Sequence, residues 1–289
     1  MTDIFDKVVA LSKRRGFVYP SSEFYGGLAN TWDFGPMGTL LKNNIRDLWW
    51  KKFVLDRDDM VGLDASIFLS PKVWEASGHV ANFTDAMIDC RNCHYRTRAD
   101  HLIEDNVKDV KVEGLPVEEL TKIVREKKIT CPKCVKHDWT EARRFNLLFE
   151  SSIGIIEDGK SKVYLRGEVA QGIFINFKNV LDTTRIRVPF GIAQQGKAFR
   201  NEITLGQFVH RTLEFDLMEF EYFITERDWE KTFEYFQNEM WEFAKELGIR
   251  EENLRWREHE EFERSHYSKK TMDIEYNYPF GFKEMFGIA

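Results

Sequence analysis

The sequence predicts an α+β fold, and three observations support this prediction. Apolar runs typical of strands are concentrated in one central region, at residues 163–178, 186–199 and 212–223. Helical stretches stand before and after that region, as in sheets covered by helices on one side. No Gly-rich turn joins a strand to a helix in the manner of a dinucleotide-binding unit. The 289 residues suffice for one large domain or two smaller ones.

The composition is that of a globular protein, with 43% hydrophobic and 31% charged residues. The net charge of −6 argues against non-specific nucleic-acid binding as the main activity. It does not exclude an RNA partner, because phosphate contacts need only a local basic surface. No segment has the length of a membrane span or the apolar core of a signal peptide. We therefore expect a soluble, cytoplasmic protein with no membrane partner.

The N-terminal part of the chain predicts two helices and a strand. Residues 2–15 have the spacing of an amphipathic helix, and residues 36–54 form a second helix beside Trp49. The apolar stripe of this second helix consists of Met37, Leu41, Ile45 and Leu48. A strand over residues 61–69 follows and is closed by Pro71.

The C-terminal part predicts one long helix and a final strand. Residues 225–228 open the helix in the manner of a capping box, and Gly248 ends it. Its aromatic stripe is predicted to pack against the sheet and consists of Trp229, Phe233, Phe236, Met240, Phe243 and Leu247. Residues 251–263 are charged and predicted to be solvated, with no function assigned. Residues 272–278 form the last clear strand.

Four cysteines occur as two Cys-x-x-Cys pairs, a spacing that lets two such turns complete a tetrahedral zinc site. The ligands are predicted to be Cys90, Cys93, Cys131 and Cys134. A helix over residues 116–128, with Gly114 and Pro116 as start signals, fits between the pairs. Redox pairs or unliganded thiols are the alternatives, although a cytoplasmic setting disfavours structural disulfides. The neighbouring His94, His101 and His137 are expected not to bind the metal, because four thiolates fill its coordination shell.

Residues 197–223 combine cationic and acidic side chains in a hairpin with a turn around Gly206. Arg200 and Arg211, near the turn, are suited to binding phosphate through paired donors. Along the second strand one face carries Leu213, Phe215, Leu217, Glu219 and Glu221, unless a bulge shifts the register. Carboxylates are costly to bury without a cation. The pattern therefore predicts a site for a ligand with phosphate and ammonium groups; a surface hairpin with salt bridges is the alternative.

These residues resemble motif 2 of class II aminoacyl-tRNA synthetases, in the form found in glycyl-tRNA synthetase. Further blocks similar to that family lie at residues 25–36, 71–79, 165–172 and 278–289. The helix at 36–54 with its following strand resembles motif 1, which forms the homodimer interface in the family. A buried helix of a monomer is the alternative reading.

The resemblance implies the class II catalytic fold, a mostly antiparallel sheet flanked by helices with the active site on its open face. Residues 1–85 and 146–289 would form the catalytic core, and residues 86–145 an inserted zinc-binding module. The implied activity is glycine–tRNA ligation. Glycine and ATP, with Mg²⁺, give glycyl-adenylate, and glycine then passes to the 3′ end of tRNA(Gly). Zinc would be structural, and the assembly a homodimer.

The resemblance also assigns roles to residues. Arg200 matches the arginine that holds the α-phosphate, and Glu202 the carboxylate on the adenine side; these two are the predicted catalytic residues. The predicted ATP-binding residues are Arg200, Asn201, Glu202, His210, Arg211, Thr212, Leu213, Glu214, Phe215, Glu284 and Met285. The predicted glycine-binding residues are Arg98, Glu168, Phe215, Asp216, Leu217, Met218 and Glu219. For Glu168, a salt bridge at a strand edge is the alternative.

The chain departs from the family pattern at several positions. Gly167 and Val169 replace a proline and a threonine, and His210 and Leu213 stand where many members have phenylalanine and arginine. Motif 3 and the anticodon-binding domain are absent, so we expect a fragment of a longer gene, truncated before motif 3.

Two other functions remain open at this point. One is a synthetase-like binding or regulatory protein with impaired catalysis. The other is a zinc-ribbon nucleic-acid binder whose basic surface would include Arg91, Arg96 and Arg98.

Overall fold

The structure is a computed structural model that describes residues 3–107, 110, 112, 115–154, 161–202, 208–261, 263–264 and 268–289. Gly114 and Gly206, which the sequence analysis used as helix-start and turn signals, lie outside the described residues. Among the described helices, none combines the length and the apolar character that crossing a bilayer requires.

The elements mix helices with short strands. The helices are α1 (Asp3–Arg14), α2 (Pro36–Trp50), α3 (Pro71–Ala76), α4 (His79–Asn82), α5 (Ala99–Glu104), α6 (Val117–Glu126), α7 (Ala170–Thr184) and α8 (Trp229–Glu246). The strands are β1 (Val18–Pro20), β2 (Trp32–Phe34), β3 (Met60–Leu63), β4 (Phe68–Leu69), β5 (Thr84–Asp89), β6 (Arg96–Arg98), β7 (Arg143–Asn146), β8 (Glu150–Ile153), β9 (Ser161–Leu165), β10 (Phe190–Phe199), β11 (Glu214–Phe223), β12 (Leu254–Glu258), β13 (Met272–Tyr278) and β14 (Gly281–Ile288). Apart from the parallel pair β3–β10, the described strands pair antiparallel, which confirms the predicted α+β fold.

The sheet β11-β10-β3 positions the central hairpin. Strands β10 and β11 pair continuously from Phe190↔Phe223 to Phe199↔Glu214, so no bulge shifts the register. One face is covered by an aromatic cluster from α2, its π-helical extension Lys51–Leu55 and α8, centred on Trp49, Phe53 and Phe243. The other face packs near one end against α7 through Ile173 and Phe177. Its remaining part carries the candidate site.

Two predicted boundaries are wrong. The predicted strand-rich segment 163–178 contains only the short β9 and then enters α7, because Ile173, Phe177 and Val180 recur at helical spacing and pack on β10. The predicted strand 61–69 is two strands in different sheets, β3 beside β10 and β4 beside β9. The chain changes sheets around Ala65, whose backbone oxygen accepts a hydrogen bond from Arg166 (2.7 Å).

The C-terminal sheet β12-β13-β14 packs against α8 through Ala244, Leu254 and Ile274. The predicted end of α8 is confirmed, since Gly248 has the positive φ of 82° typical of such stops. At its start, however, the Thr225 hydroxyl binds the Asp228 carboxylate rather than a backbone N–H. Part of the segment 251–263, predicted to be solvated, forms β12, and β14 follows the strand predicted as the last clear one.

The sheet β6-β5-β7 and helices α5 and α6 surround a separate hydrophobic cluster that contains Leu102, Leu120 and Val124. Helix α6 buries Leu120, Thr121 and Val124, and Pro116 precedes its first residue as the sequence predicts. The four cysteines lie at the edge of this cluster.

The N-terminal helices leave apolar side chains exposed. On α2 the predicted stripe is not uniformly buried, because Met37 and Leu41 are each 49% exposed and Leu40 is 60% exposed. Near its start, α2 comes so close to the chain at Phe17 that a Cβ on Gly38 would overlap the Phe17 backbone oxygen. On α1, Ile4, Val8 and Leu11 are also exposed.

Candidate active site

Arg200 follows the end of β10, between two aromatic rings. Its guanidinium carbon is 5.2 Å from the ring centre of Phe83 and 5.3 Å from that of Phe215. Its Nε donates a hydrogen bond to the backbone oxygen of Gly167 (3.1 Å), while Nη2 is 3.7 Å from Oε1 of Glu168. The rings and the carbonyl fix the guanidinium plane beside the Glu168 carboxylate.

Glu168 lies just before α7 and is held at one carboxylate oxygen. Oε2 is 3.0 Å from Nε2 of His79 and accepts a hydrogen bond from Nε2 of Gln171 (3.2 Å). Burial opposes ionisation, but the contacts with His79, Gln171 and Arg200 outweigh it, so the pKa of Glu168 is lowered. Glu168 is therefore an anion at neutral pH, with His79, Gln171 and Arg200 as its side-chain partners.

Glu219 and Glu221 lie on the face of β11 that the alternation predicted, opposite Gln194 and Ile192 of β10. Burial and the negative charge of Glu168 raise the pKa of Glu219 to about 7, although the backbone N–H groups of Val169 and Ala170 donate to its carboxylate. Burial and repulsion by Glu219 and Glu168 raise the pKa of Glu221 to about 8. Among the described residues, Glu168 forms ion-pair contacts with His79 and Arg200, whereas Arg200 acts on Glu219 only as a nearby charge. Three carboxylates with so little neutralising charge favour the binding of a cation.

Two buried amides beside the carboxylates keep unused hydrogen-bonding atoms. Within the part of the chain that the structure describes, Nε2 of Gln194 and Oε1 of Gln171 have no hydrogen-bond partner, and the Gln194 side chain is fully buried. Below them, Arg166 donates to the backbone oxygen of Lys197 (2.7 Å), and a Cβ on Gly196 would overlap its guanidinium. The floor of the site thus requires a glycine at position 196.

A second charged network contains Glu202 and Arg98. Arg211 Nη1 is 3.1 Å from Oε1 of the buried Glu202. Arg98 binds Asp100 with two nitrogens and Asp85 with a third (3.1 Å). Burial raises the pKa of Asp85, and the charges of Arg98 and Arg211 oppose this rise. Among the described residues, Arg98 therefore contacts Asp85 and Asp100.

The last strand brings one more predicted residue, Glu284, towards the site. Burial and repulsion by Asp273 raise the pKa of Glu284, and Arg200 and Arg211 counteract the rise, so Glu284 lies within electrostatic range of both arginines. Met285 packs instead into the cluster between α8 and the C-terminal sheet. His210 packs edge-on against Tyr278 at a ring distance of 4.6 Å, and burial lowers its pKa.

The remaining predicted residues divide between the two faces of the hairpin. Leu217 lies on the site face, opposite Gly196. Asp216 and Met218 lie on the other face, where Asp216 binds Lys42 (3.1 Å) and Met218 packs into the aromatic cluster.

Four predicted residues lie close to the hairpin turn. Asn201 and Leu213 are held by backbone hydrogen bonds to Leu147 and Asn30. The Thr212 hydroxyl donates to the backbone oxygen of Glu214, whose side chain binds Lys197 (2.9 Å).

The sequence analysis missed His79, Phe83, Gln171 and Gln194 as residues of this site. His79 and Gln171 lie in the blocks 71–79 and 165–172, so their place in the blocks was a usable signal. Phe83 and Gln194 look like ordinary core residues in the sequence, and only the fold brings them to the carboxylates.

The four cysteines form a separate candidate metal centre. Their sulfur atoms all lie within 4.8 Å of one another, with Cys90–Cys134 and Cys93–Cys131 separations of 3.6 Å. Tetrahedral zinc–thiolate bonds of about 2.3 Å place sulfurs about 3.8 Å apart, which these distances match. Among the described residues, no histidine belongs to this group.

The two cysteine turns share one backbone pattern. The Cys90 N–H donates to the Tyr95 oxygen and the Cys131 N–H to the Lys136 oxygen, each at 2.8 Å. The residue after each second cysteine, His94 or Val135, has a positive φ of 56° or 62°. Such a φ is unfavourable for a β-branched residue, so the repeated geometry indicates turns shaped for a metal ion.

Comparison with known proteins finds close relatives. A scan against models of protein families finds none that matches the chain. Among curated proteins, the chain is 52% identical over 288 residues to a glycine–tRNA ligase of Caldanaerobacter subterraneus subsp. tengcongensis, covering 98% of the chain and 62% of that protein. It is 53% identical to a glycine–tRNA ligase of Acetivibrio thermocellus, with the same coverage of both chains. A glycine–tRNA ligase of Geobacillus thermodenitrificans is 51% identical over 100% of the chain and 63% of its own length.

The chain thus spans a little over three-fifths of the length of the curated relatives that it matches. Over nearly its own entire length, the chain is similar to glycine–tRNA ligases, as its motifs predict.

Proposed function

We propose that the protein acts as a glycine–tRNA ligase. In the first step a carboxylate oxygen of glycine attacks the α-phosphorus of ATP, the bond to the β-phosphate oxygen breaks, and pyrophosphate leaves. In the second step the 3′-terminal hydroxyl of tRNA(Gly) attacks the glycyl carbonyl carbon, and AMP leaves. The observation that carries this proposal is the anionic Glu168, with Glu219 and Glu221, beside Arg200 in a chain similar to glycine–tRNA ligases.

Glu168 and Glu219 would bind the ammonium group of glycine. Glu168 is ionised and keeps Oε1 free of the His79 and Gln171 contacts. An ammonium between the two carboxylates would lower the pKa of Glu219 and draw it into the ionised state. Phe215 and Leu217, on the same face, would line the space next to glycine and exclude larger side chains.

Arg200 would bind the α-phosphate and stabilise the charge that develops during attack. Its guanidinium is held by two rings and a carbonyl, so little reorganisation is needed when charge develops. Arg98 is proposed to act on the carboxylate side of glycine.

The nucleotide would lie along the hairpin turn, with Glu202 on the adenine side. The other proposed ATP contacts come from Asn201, His210, Arg211, Thr212, Leu213, Glu214, Glu284 and Met285. ATP would enter as its Mg²⁺ complex, and the metal would supply charge neutralisation at the phosphate oxygens.

The cysteine centre is proposed to hold a structural Zn²⁺ ion. All four thiolates would be used as ligands, so no coordination position would be left for a substrate. Zinc would then stabilise residues 86–145 as a module inserted into the core formed by residues 1–85 and 146–289. The separate hydrophobic cluster in this segment supports the division.

We also propose that the protein is a cytoplasmic homodimer. The exposed apolar residues of α1 and α2 support this proposal, because monomers seldom expose contiguous apolar surface of this kind. tRNA(Gly) would be the macromolecular substrate, recruited in the compartment where aminoacylated tRNA is used.

The test is amino-acid-dependent exchange of labelled pyrophosphate into ATP, measured on the full-length protein with glycine, alanine and serine. We expect exchange with glycine alone. A folded, zinc-loaded protein that shows no exchange with any of the three would contradict the proposal and favour a non-catalytic, synthetase-like protein.

A further inference from the structure

His79 connects an exposed serine to the central carboxylate of the site. Its Nδ1 is 2.8 Å from the Ser77 hydroxyl, and its Nε2 is 3.0 Å from Oε2 of Glu168. Both ring nitrogens are therefore engaged, and the ring has no spare polar atom to offer to a substrate. Any contribution that His79 makes to ligand binding must pass through Glu168.

The imidazole ring is fixed by its surroundings. Trp74 and Phe83 pack against it at ring distances of 5.3 and 5.1 Å. The backbone oxygen of His79 accepts a hydrogen bond from Asn146 (3.2 Å), which ties the start of α4 to β7. Trp74 is fully buried, so this wall of the site is part of the core.

The hydrogen-bonding roles follow from the charge of Glu168. Its pKa is lowered, so the carboxylate is ionised at neutral pH and can only accept hydrogen bonds. His79 must then carry its proton on Nε2. At Nδ1 the ring meets the Ser77 hydroxyl, which can donate or accept a hydrogen bond. His79 therefore orients the Glu168 carboxylate through one of its two oxygens.

The two oxygens of Glu168 are consequently not equivalent. Oε2 receives the hydrogen bonds of His79 and Gln171, whereas Oε1 is directed to the side of Arg200. A carboxylate fixed at one oxygen presents the other in a defined direction, which favours a ligand cation placed beside the arginine.

We propose that His79 is a positioning residue for substrate ammonium binding, holding Glu168 by one oxygen so that the other is presented to the ammonium group. This inference rests on the proposed function, and it assigns to the Ser77–His79 pair a role in amino-acid recognition. His79 itself contacts neither the substrate nor the reacting atoms.

Three substitutions test the proposal. In His79→Gln the amide nitrogen can occupy the place of Nε2, whereas in His79→Asn the same amide is one methylene too short. His79→Phe fills the volume between Trp74 and Phe83 without any donor. We expect the glycine KM in pyrophosphate exchange to rise about tenfold or more in the Asn and Phe variants and to stay within about threefold in the Gln variant.

The KM for ATP provides the internal control, since a purely structural defect would affect both substrates. We expect it to change by less than about twofold in all three variants. Wild-type glycine KM in the Asn and Phe variants, or equal increases for ATP and glycine, would overturn the inference. If the Phe variant unfolds, the comparison of the glycine KM between the Gln and Asn variants still tests the inference. Absence of glycine-dependent exchange in the wild-type protein would instead refute the proposed function.

Discussion

At the scale of single residues, the contacts of Arg200 hold its guanidinium in a fixed position that suits it to bind an anion. Its guanidinium lies between Phe83 and Phe215 and is 3.7 Å from Glu168, a distance that leaves its terminal nitrogens available. We expect Arg200→Ala to abolish adenylate formation, a loss of at least about 100-fold in exchange rate, because one fixed donor set at the developing charge is removed.

The matched variant Arg200→Lys keeps the positive charge but loses the planar set of guanidinium N–H donors. We expect it to lose exchange activity almost as fully as Arg200→Ala. Thermal unfolding of both variants should remain close to that of the wild type, because Arg200 is only partly buried. Surviving exchange in Arg200→Ala would show that the motif 2 assignment is wrong.

Glu221 gives a prediction for stability. Its pKa is about 8 in the folded protein against an ordinary value of 4.5, because burial and two neighbouring carboxylates disfavour its charge. Between these two pH values the folded protein binds more protons than the unfolded chain, so the group's contribution to the free energy of unfolding falls as pH rises.

We therefore expect Glu221→Gln, which resembles the protonated acid, to increase the free energy of unfolding by about 4 kcal/mol at pH 8 and by about 1 kcal/mol at pH 5. Urea unfolding at both pH values measures the difference. Glu234→Gln, an exposed change on α8, controls for net charge. Equal effects of Glu221→Gln at pH 5 and pH 8 would contradict the expected linkage.

The departures from the family pattern have local explanations. A Cβ on Gly167 would lie 3.0 Å from the ring of Phe83, so that ring occupies the space of the missing side chain. His210 packs edge-on against Tyr278 and Phe280, a place that any aromatic ring can fill. At Leu213 the backbone carries the contacts, with the N–H bound to Asn30 and the oxygen to Arg200.

At the scale of elements, the cysteine turns predict a metal-dependent module. We expect about one zinc ion per chain, and we expect Cys93→Ser to lose it, because a three-thiolate site binds zinc much more weakly. Elemental analysis measures the metal, and limited proteolysis within residues 86–145 measures the loss of order.

His94→Ala is the matched control, since His94 neighbours Cys93 but does not belong to the sulfur cluster. It should retain the zinc ion. Equal zinc loss in both variants would mean that the ligand set is not the four cysteines.

The elements differ in how well the sequence predicts them. Helix α8 and strand β11 have strong periodic patterns, and both occur close to the expected bounds. Helix α7 is rich in Ile and Phe, which suit strands, and its helical state depends on packing against β10 and on the Glu219 carboxylate at its first N–H groups. Such tertiary contacts are invisible in a local pattern.

At the scale of the whole molecule, the two faces of the central sheet differ. One packs into the hydrophobic core, and the other carries the candidate site. One face holds the aromatic cluster of α2 and α8, and the other holds Glu219 and Glu221, with Glu168 close enough to raise the pKa of both. The alternation along β11 predicts this division from sequence alone. The meeting of Arg200, Glu168 and Glu219 was expected only from the family resemblance, because they come from separate segments. His79 was not assigned to the site, since its partner Glu168 is distant in sequence.

The exposed apolar side of α2 leads to a prediction about assembly. Leu40 and Leu41 are 60% and 49% exposed, and Phe24 and Tyr25, in the preceding segment, are 91% and 89% exposed. We expect the double variant Leu40→Glu, Leu41→Glu to weaken the homodimer at least tenfold, because the interface would have to bury two unpaired carboxylates. Stability of the monomer should change little, since both side chains are already exposed.

Leu55→Glu is the control, because Leu55 is 69% exposed at the far end of the same helix, about 21 Å along its axis. Light scattering across a concentration series gives the dissociation constant of each variant. Weakening by both variants would indicate a general effect of charge. If the double variant dimerises as strongly as the wild type, the interface lies elsewhere. If the wild-type protein is a monomer, the proposed homodimer is wrong.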